Sequence, residues 1–185
     1  MAALISVIIV VLLACCLFFQ KKSDINSDDL DFNAGAGTST NNQNGDKGGV
    51  NNPGFLITTN TAWKGKTTQG NPKFENFDTL GNGVRAWGVN LFNKIKKGQI
   101  QSSNQMIDIL TPAIAENPEP ARNNYKAHVA KATTWKELFV AVFDFEANPS
   151  WKNSSDTDKQ EALNYGFTQA INYCYNGNIP AYFKS

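Results

Sequence analysis

The chain has 185 residues, enough for one ordinary domain with extensions. Its 17 Lys and Arg nearly balance 16 Asp and Glu, for a formal charge of +1, so there is no global basic field to hold nucleic acid and no nucleic-acid partner is expected. The three cysteines, Cys15, Cys16 and Cys174, exclude a disulfide framework and a thiolate zinc site.

From Ala2 to Phe19 every residue is apolar except Ser6. That is about 18 residues, or roughly 27 Å of helix, close to the thickness of a bilayer's hydrocarbon core. The spacing predicts one transmembrane helix over residues 1–20, contacting lipid through residues 2–19. A cleaved secretory signal is one competing reading, and a lipidated leader is another, since Leu12-Leu13-Ala14-Cys15 loosely resembles a lipoprotein processing box. Both lack a basic stretch before the apolar run. Lys21 and Lys22 follow it instead, and would hold the downstream side at the cytoplasmic face of a cell membrane.

Residues 21–49 are rich in Asp, Asn, Gly, Ser and Thr and carry too little apolar surface to offset the entropy of ordering. They are expected to form a flexible polar linker, with the domain spanning residues 50–185. Within it, Asn51-Asn52-Pro53-Gly54 has turn chemistry, and Phe55 to Thr59 has the bias of a short strand, with Lys73 to Phe77 as partner. Val84, Trp87, Leu91 and Ile95 recur at helical spacing, ending at Gly98. Ser102 or Ser103 caps a second helix that stops at Pro112, and Asn117 or Pro118 opens a third carrying Tyr125 and Val129. Thr134-Trp135-Lys136-Glu137 is a capping box for a fourth. A last helix runs from about Asp158 to Asn176, before Gly177. The fold class is mainly α with a small β-hairpin.

Trp135, Leu138, Phe139, Val142 and Phe143 form an apolar stripe on the fourth helix, and Glu146, at offset 11, falls within about 20° of Trp135. A carboxyl that continues a buried aromatic face keeps its proton to higher pH, as a general acid requires. Glu146 is therefore the first candidate catalytic residue; the plainer alternative is a carboxylate leaving the core at a frayed helix end. Glu75, in Phe74-Glu75-Asn76-Phe77-Asp78, is the second choice. Glu137 is explained by capping, and Glu116, Glu119 and Glu161 by helix first turns. Cys174 could pair as a nucleophile with His128, the single histidine, but a lone Cys at helical spacing is more simply a small buried hydrophobe.

Several spaced motifs resemble a family of phage and prophage virion proteins of lysozyme-like, lytic type. Gly49-Val50-Asn51-Asn52-Pro53-Gly54 is similar to that family's Asn-Asn-Pro-Gly-Asn-Ile-Arg opening, followed by Trp63-Lys64-Gly65 and Phe74 to Thr79. Asn82-Gly83-Val84-Arg85-Ala86 is similar to its Gly-Ile-Arg-Ala helix start, Asn123 to Ala130 to a later helix, and Phe145-Glu146-Ala147-Asn148 to its His-Glu-Asn-Gly close. The chain departs from the pattern with Phe55-Leu56-Ile57 in place of Asn-Ile-Arg, Leu110-Thr111-Pro112 in place of Trp-Ala-Pro, and no His before Glu146. Separately, Phe145 to Ser150 is similar to the helix end of lytic transglycosylases, which work with a single glutamic acid.

The resemblance implies a lysozyme-like domain that cleaves peptidoglycan glycan strands, as a transglycosylase or a muramidase, while the phage enters or leaves its host. It implies a virion, membrane-associated location, and capsid proteins as further partners. The alternative is a non-catalytic minor capsid or membrane structural protein. A hydrolase would need a second carboxylate, for which Asp78, Asp144 and Glu75 are candidates. Trp63, Tyr125 and Trp151 are expected to offer flat faces to sugar rings, and Asn51, Asn52 and Asn148 to bond acetamido groups, whereas Trp87 is expected in the core. Arg85 is expected either to bind a stem carboxylate or to pair with Asp78. No phosphate loop, His cluster or Ser-His-Asp arrangement is present, so neither a metal nor another cofactor is expected.

Overall fold

Apolar residues at helical spacing commit most of the domain to helices, and the computed structural model of the chain describes residues 48–111 and 119–183. The predicted membrane helix at 1–20 and all but the end of the predicted linker at 21–49 lie outside these residues. So do the predicted stop at Pro112 and the start at Asn117 or Pro118. Among the described residues, no helix is long and apolar enough to cross a membrane.

The described chain is mainly helical with a small two-stranded sheet. In order it forms β1 (Lys66–Thr67), β2 (Asn76–Phe77), α1 (Leu80–Lys96), α2 (Ser103–Leu110), α3 (Glu119–Val129), α4 (Trp135–Glu146), α5 (Pro149–Lys152) and α6 (Asp156–Tyr175).

The hairpin differs from the one predicted. β1 and β2 run antiparallel, with Lys66 opposite Phe77 and Thr67 opposite Asn76, whereas Phe55 to Thr59 contributes only a bridge between Ile57 and Phe74. The cause is local. Phe55 has a left-handed backbone (φ 50°), and the Asn52 side chain accepts the Leu56 N–H, so the chain is turning where a strand would have to extend.

Side-chain caps set the helix starts. Thr79 accepts the Asn82 N–H and starts α1, and Ser102 accepts the Gln105 N–H and starts α2. Thr134 and Glu137 form the predicted capping box of α4, and Ser155 caps α6. Arg122, buried on α3, ties α3 to α2 by donating to the Thr111 carbonyl (2.9 Å) and pairing with Asp108 and Glu119.

α1 and α6 pack along most of their lengths because glycines sit at their closest approach. A Cβ at Gly88 would come within 2.8 Å of the Ala170 methyl, and one at Gly166 within 2.6 Å of the Val84 Cβ. Around this pair lies an aromatic core of Trp87, Phe92, Phe139, Phe143 and Phe167. Trp87 and Phe139 meet edge to face with centroids 4.7 Å apart, as do Phe139 and Phe167 at 5.4 Å. After α6 the chain returns over Trp135, whose indole donates to the Pro180 carbonyl at 2.8 Å.

Candidate active site

The apolar stripe of α4 is fully buried at Leu138, Phe139 and Phe143, and Trp135 and Val142 are buried with it. Glu146 continues this face as the last residue of the helix and is partly buried. Burial pushes its carboxyl up from the ordinary glutamate range. The Tyr125 phenol acts in the opposite direction by stabilising the carboxylate, without forming a well-aligned hydrogen bond to it. Tyr125 itself is raised well above its ordinary value, first by burial and then by the charge of Glu146, so it stays a neutral phenol. No cation pairs with Glu146 among the described residues, and no second carboxylate bears on it there.

Backbone geometry fixes the point where the helix stops. Ala147 takes a left-handed conformation (φ 51°), which an L-residue adopts at some cost, and its N–H reaches back to the Phe143 carbonyl. Asn148 then caps α5, with Pro149 in the first helical position. Two helices thus abut with Glu146 at the joint. The loop over residues 49–52 is laced onto this joint. Asn148 Nδ2 donates to the Gly49 carbonyl at 3.1 Å, and the Asn51 N–H donates to Ser150 Oγ at 2.9 Å.

The structure corrects five of the expected substrate contacts. Asn51 donates to the carbonyls of Phe77 and Asp78 (3.0 and 3.1 Å), while Asn52 donates to those of Leu56 and Glu75 (2.9 and 3.0 Å). With Asn148, all three are buried, and their amide hydrogens serve the chain's own backbone where acetamido groups were expected. Trp151 is 2% exposed, packs on Phe143 and donates to Asp144 at 2.7 Å, so it belongs to the core. Tyr125 is buried too, and one face of its ring is covered by Phe145 in a parallel stack at 4.0 Å, so it supports Glu146 and offers no platform to a sugar. Trp87 lies in the core as expected. Trp63 is half-buried and lines a cavity together with Trp87.

Glu75 is placed differently from Glu146. It is 1% exposed behind the loop of residues 57–66, where Oε1 accepts from the Thr59 N–H (2.7 Å), the Thr59 hydroxyl (2.8 Å) and the Trp63 indole (3.2 Å). Lys66 Nζ lies 2.9 Å from Oε2, close enough for an ion pair though not oriented as a hydrogen bond. A cation and three donors occupy this carboxylate, so Glu75 serves as the anchor of its loop. Glu75→Ala is expected to lower the unfolding free energy by about 2–3 kcal/mol, somewhat below the ~3–5 of a fully buried pair, because the Lys66 side chain keeps 28% exposure. Glu75→Gln should lose less, since its carbonyl still accepts from Thr59 and Trp63. Urea unfolding of both variants measures the difference.

The other candidates separate in space. Asp78 accepts from Asn82 (2.8 Å) and forms no ion pair with Arg85, whose guanidinium lies 5.5 Å over the Tyr173 ring. Cys174 is buried, with its thiol pushed up to about 11 by burial, and it contacts Val89 and Asn93. His128 lies beside Phe145, so the two do not form a nucleophile pair. A cavity of about 470 Å³ lies beside α4 and is lined by His128, Lys136, Val140 and Asp144, among others. One of about 250 Å³ is lined by Phe55, Trp63, Trp87 and Lys94, among others. Glu146 lines neither.

No protein-family model matches the chain, and no curated protein sequence matches it.

Proposed function

We propose that this is a membrane-anchored, virion-associated enzyme with a lysozyme-like domain that cleaves the glycan strands of peptidoglycan, with Glu146 as proton donor. The observation that carries this reading is a partly buried carboxyl, pushed toward its protonated form, with no cation beside it among the described residues. Such a group is better placed to protonate a glycosidic oxygen than an exposed glutamate. The apolar run at residues 2–19 supports the anchor, and tethering would concentrate the domain at its substrate.

Within this reading, a single-carboxylate mechanism is favoured. No second carboxylate bears on Glu146 among the described residues, and the three considered as partners each bind elsewhere: Asp78 to Asn82, Asp144 to Trp151 and Glu75 to Lys66. In a transglycosylase step, Glu146 gives its proton to the bridging oxygen as the bond from that oxygen to the sugar's anomeric carbon breaks. A hydroxyl of the same sugar then bonds to that carbon, and its proton returns to Glu146, leaving an anhydro end and regenerating the acid.

The second reading is a non-catalytic minor capsid or membrane protein, with the domain as a binding module. It is favoured by the burial of Asn51, Asn52, Asn148 and Trp151, and by the position of Glu146 outside the cavity beside α4 and the one lined by Trp63. Mass spectrometry of purified sacculi incubated with the full-length chain separates the readings. Anhydro-sugar ends support the transglycosylase and reducing ends a muramidase. Intact sacculi would leave the structural reading.

A further inference from the structure

The cavity of about 250 Å³ lies where the loop of residues 54–63 meets α1 and the end of α2. It falls below the ~300–1,000 Å³ of sites for drug-sized ligands, so it admits the end of a chain and not a length of one. Its aromatic walls are Phe55, Trp63 and Trp87, and the exposed side chains of Ile57 and Ile109 add apolar surface to them. The Trp63 wall is held from behind, because Glu75 accepts from the Trp63 indole and from Thr59.

Two polar side chains on these walls have no partner among the described residues. Asn90 and Lys94 stand one turn apart on the same side of α1, and both line the cavity partly buried. Neither hydrogen-bonds or pairs with another described side chain or backbone group. Asn90 thereby differs from Asn51, Asn52 and Asn148, whose amides serve the chain's own carbonyls. Lys94 is the one charged residue among the described walls, and burial, followed by the like charge of Lys97, lowers its pKa. An anion beside this ammonium would offset both effects. An ammonium for a carboxylate, an amide one turn away and apolar walls around them match the free C-terminal end of a peptide.

The geometry points to this cavity as a binding site for the C-terminal end of a peptide, with Lys94 as partner of the terminal carboxylate, Asn90 as partner of the last peptide group and Trp63 as wall to the last side chain. The cavity itself calls for the carboxylate and the apolar end; that the peptide is the stem of murein rests on the function proposed above. A stem peptide ends in alanine with a free carboxylate and a small methyl group, which suits a cavity of this size. The site would then hold a stem while the glycan strand that bears it lies outside the cavity.

Saturation-transfer NMR and calorimetry on the full-length chain, with N-acetyl-D-alanyl-D-alanine and its C-terminal amide as probes, test this. The parent chain is expected to bind the acid about tenfold more tightly than the amide, the scale of one hydrogen bond to a charged group. Lys94→Gln should abolish that preference while leaving the melting temperature and the weaker binding of the amide unchanged. Asn90→Ala should weaken both probes alike, by about fivefold, the scale of one neutral hydrogen bond. Equal affinity for acid and amide, a preference that survives Lys94→Gln, affinities untouched by Asn90→Ala, or no binding of either probe would each overturn the inference. Sacculus cleavage by a chain with no such preference defeats the inference alone. A preference without cleavage keeps the peptide site and defeats the enzymatic reading.

Discussion

Glu146→Gln is expected to lower the rate of murein cleavage by about 10²- to 10⁴-fold, the usual contribution of a positioned general acid, without lowering the melting temperature at neutral pH. The two halves of this expectation have one cause. Burial raises the carboxyl's pKa in the folded state above its ordinary value of 4.5, so the folded chain holds this proton more tightly than the unfolded one. That contribution to stability is fully present below the unfolded value and is lost as pH rises through the folded value. Glutamine carries no titrating proton and loses nothing. The difference in melting temperature should therefore move in the variant's favour as the buffer is raised from about pH 4 to pH 8. Full cleavage by the variant would remove Glu146 from the mechanism. A variant that melts lower at every pH would mean that the carboxylate supports the fold.

Phe139→Ala carries the largest expected loss of stability, about 3–5 kcal/mol. The side chain is 0% exposed and touches four aromatic neighbours: Trp87 at 4.7 Å, Phe167 at 5.4 Å, and Phe92 and Phe143 at 5.8 Å between centroids. It sits where α4 meets both α1 and α6, against Gly88, whose missing Cβ leaves room for the ring. Truncation leaves a void among rings held by one another and by the backbone of three helices, so the site has little freedom to collapse. Urea unfolding should show a lower midpoint at unchanged slope. Phe139→Leu should retain part of the loss. A change below about 1 kcal/mol would mean that this cluster does not organise the core.

Where helix periodicity and capping acted together, the sequence was readable. The stripe from Trp135 to Phe143, the capping box at Thr134 and Glu137, and the stop after Glu146 fall where the residues place them, because each depends on neighbours within two turns. The stop of α6 at the left-handed Asn176 before Gly177 is likewise local, whereas its start, capped by Ser155, falls two residues before the predicted Asp158. The hairpin was misread because its pairing is not local. Lys66 and Thr67 show no strand alternation, and their place is set by Asn76 and Phe77 across the ladder and by Glu75 beneath.

Helix α5 had a signal in Asn148-Pro149, an N-cap followed by proline at the first helical position. It read only as the end of α4, and with α5 unrecognised Trp151 looked free to face a ligand. Asn51, Asn52 and Asn148 show why an asparagine's role is hard to read. An amide that bonds a distant carbonyl and one that waits for a sugar have the same side chain, and only the approach of residues 49–52 to the joint between α4 and α5 decides between them. Burial of Glu146 was legible from its offset along α4, whereas the phenol beside it, from a different helix, was not.

All of the proposed chemistry depends on Glu146 keeping its proton beyond the ordinary glutamate range. The direct measurement is a titration of its side-chain carbon in full-length protein labelled with carbon-13 at glutamate carboxyls, with the signal assigned by its loss in Glu146→Gln. A midpoint above 4.5 is the result this account requires, and a midpoint at or below 4.5 would contradict it.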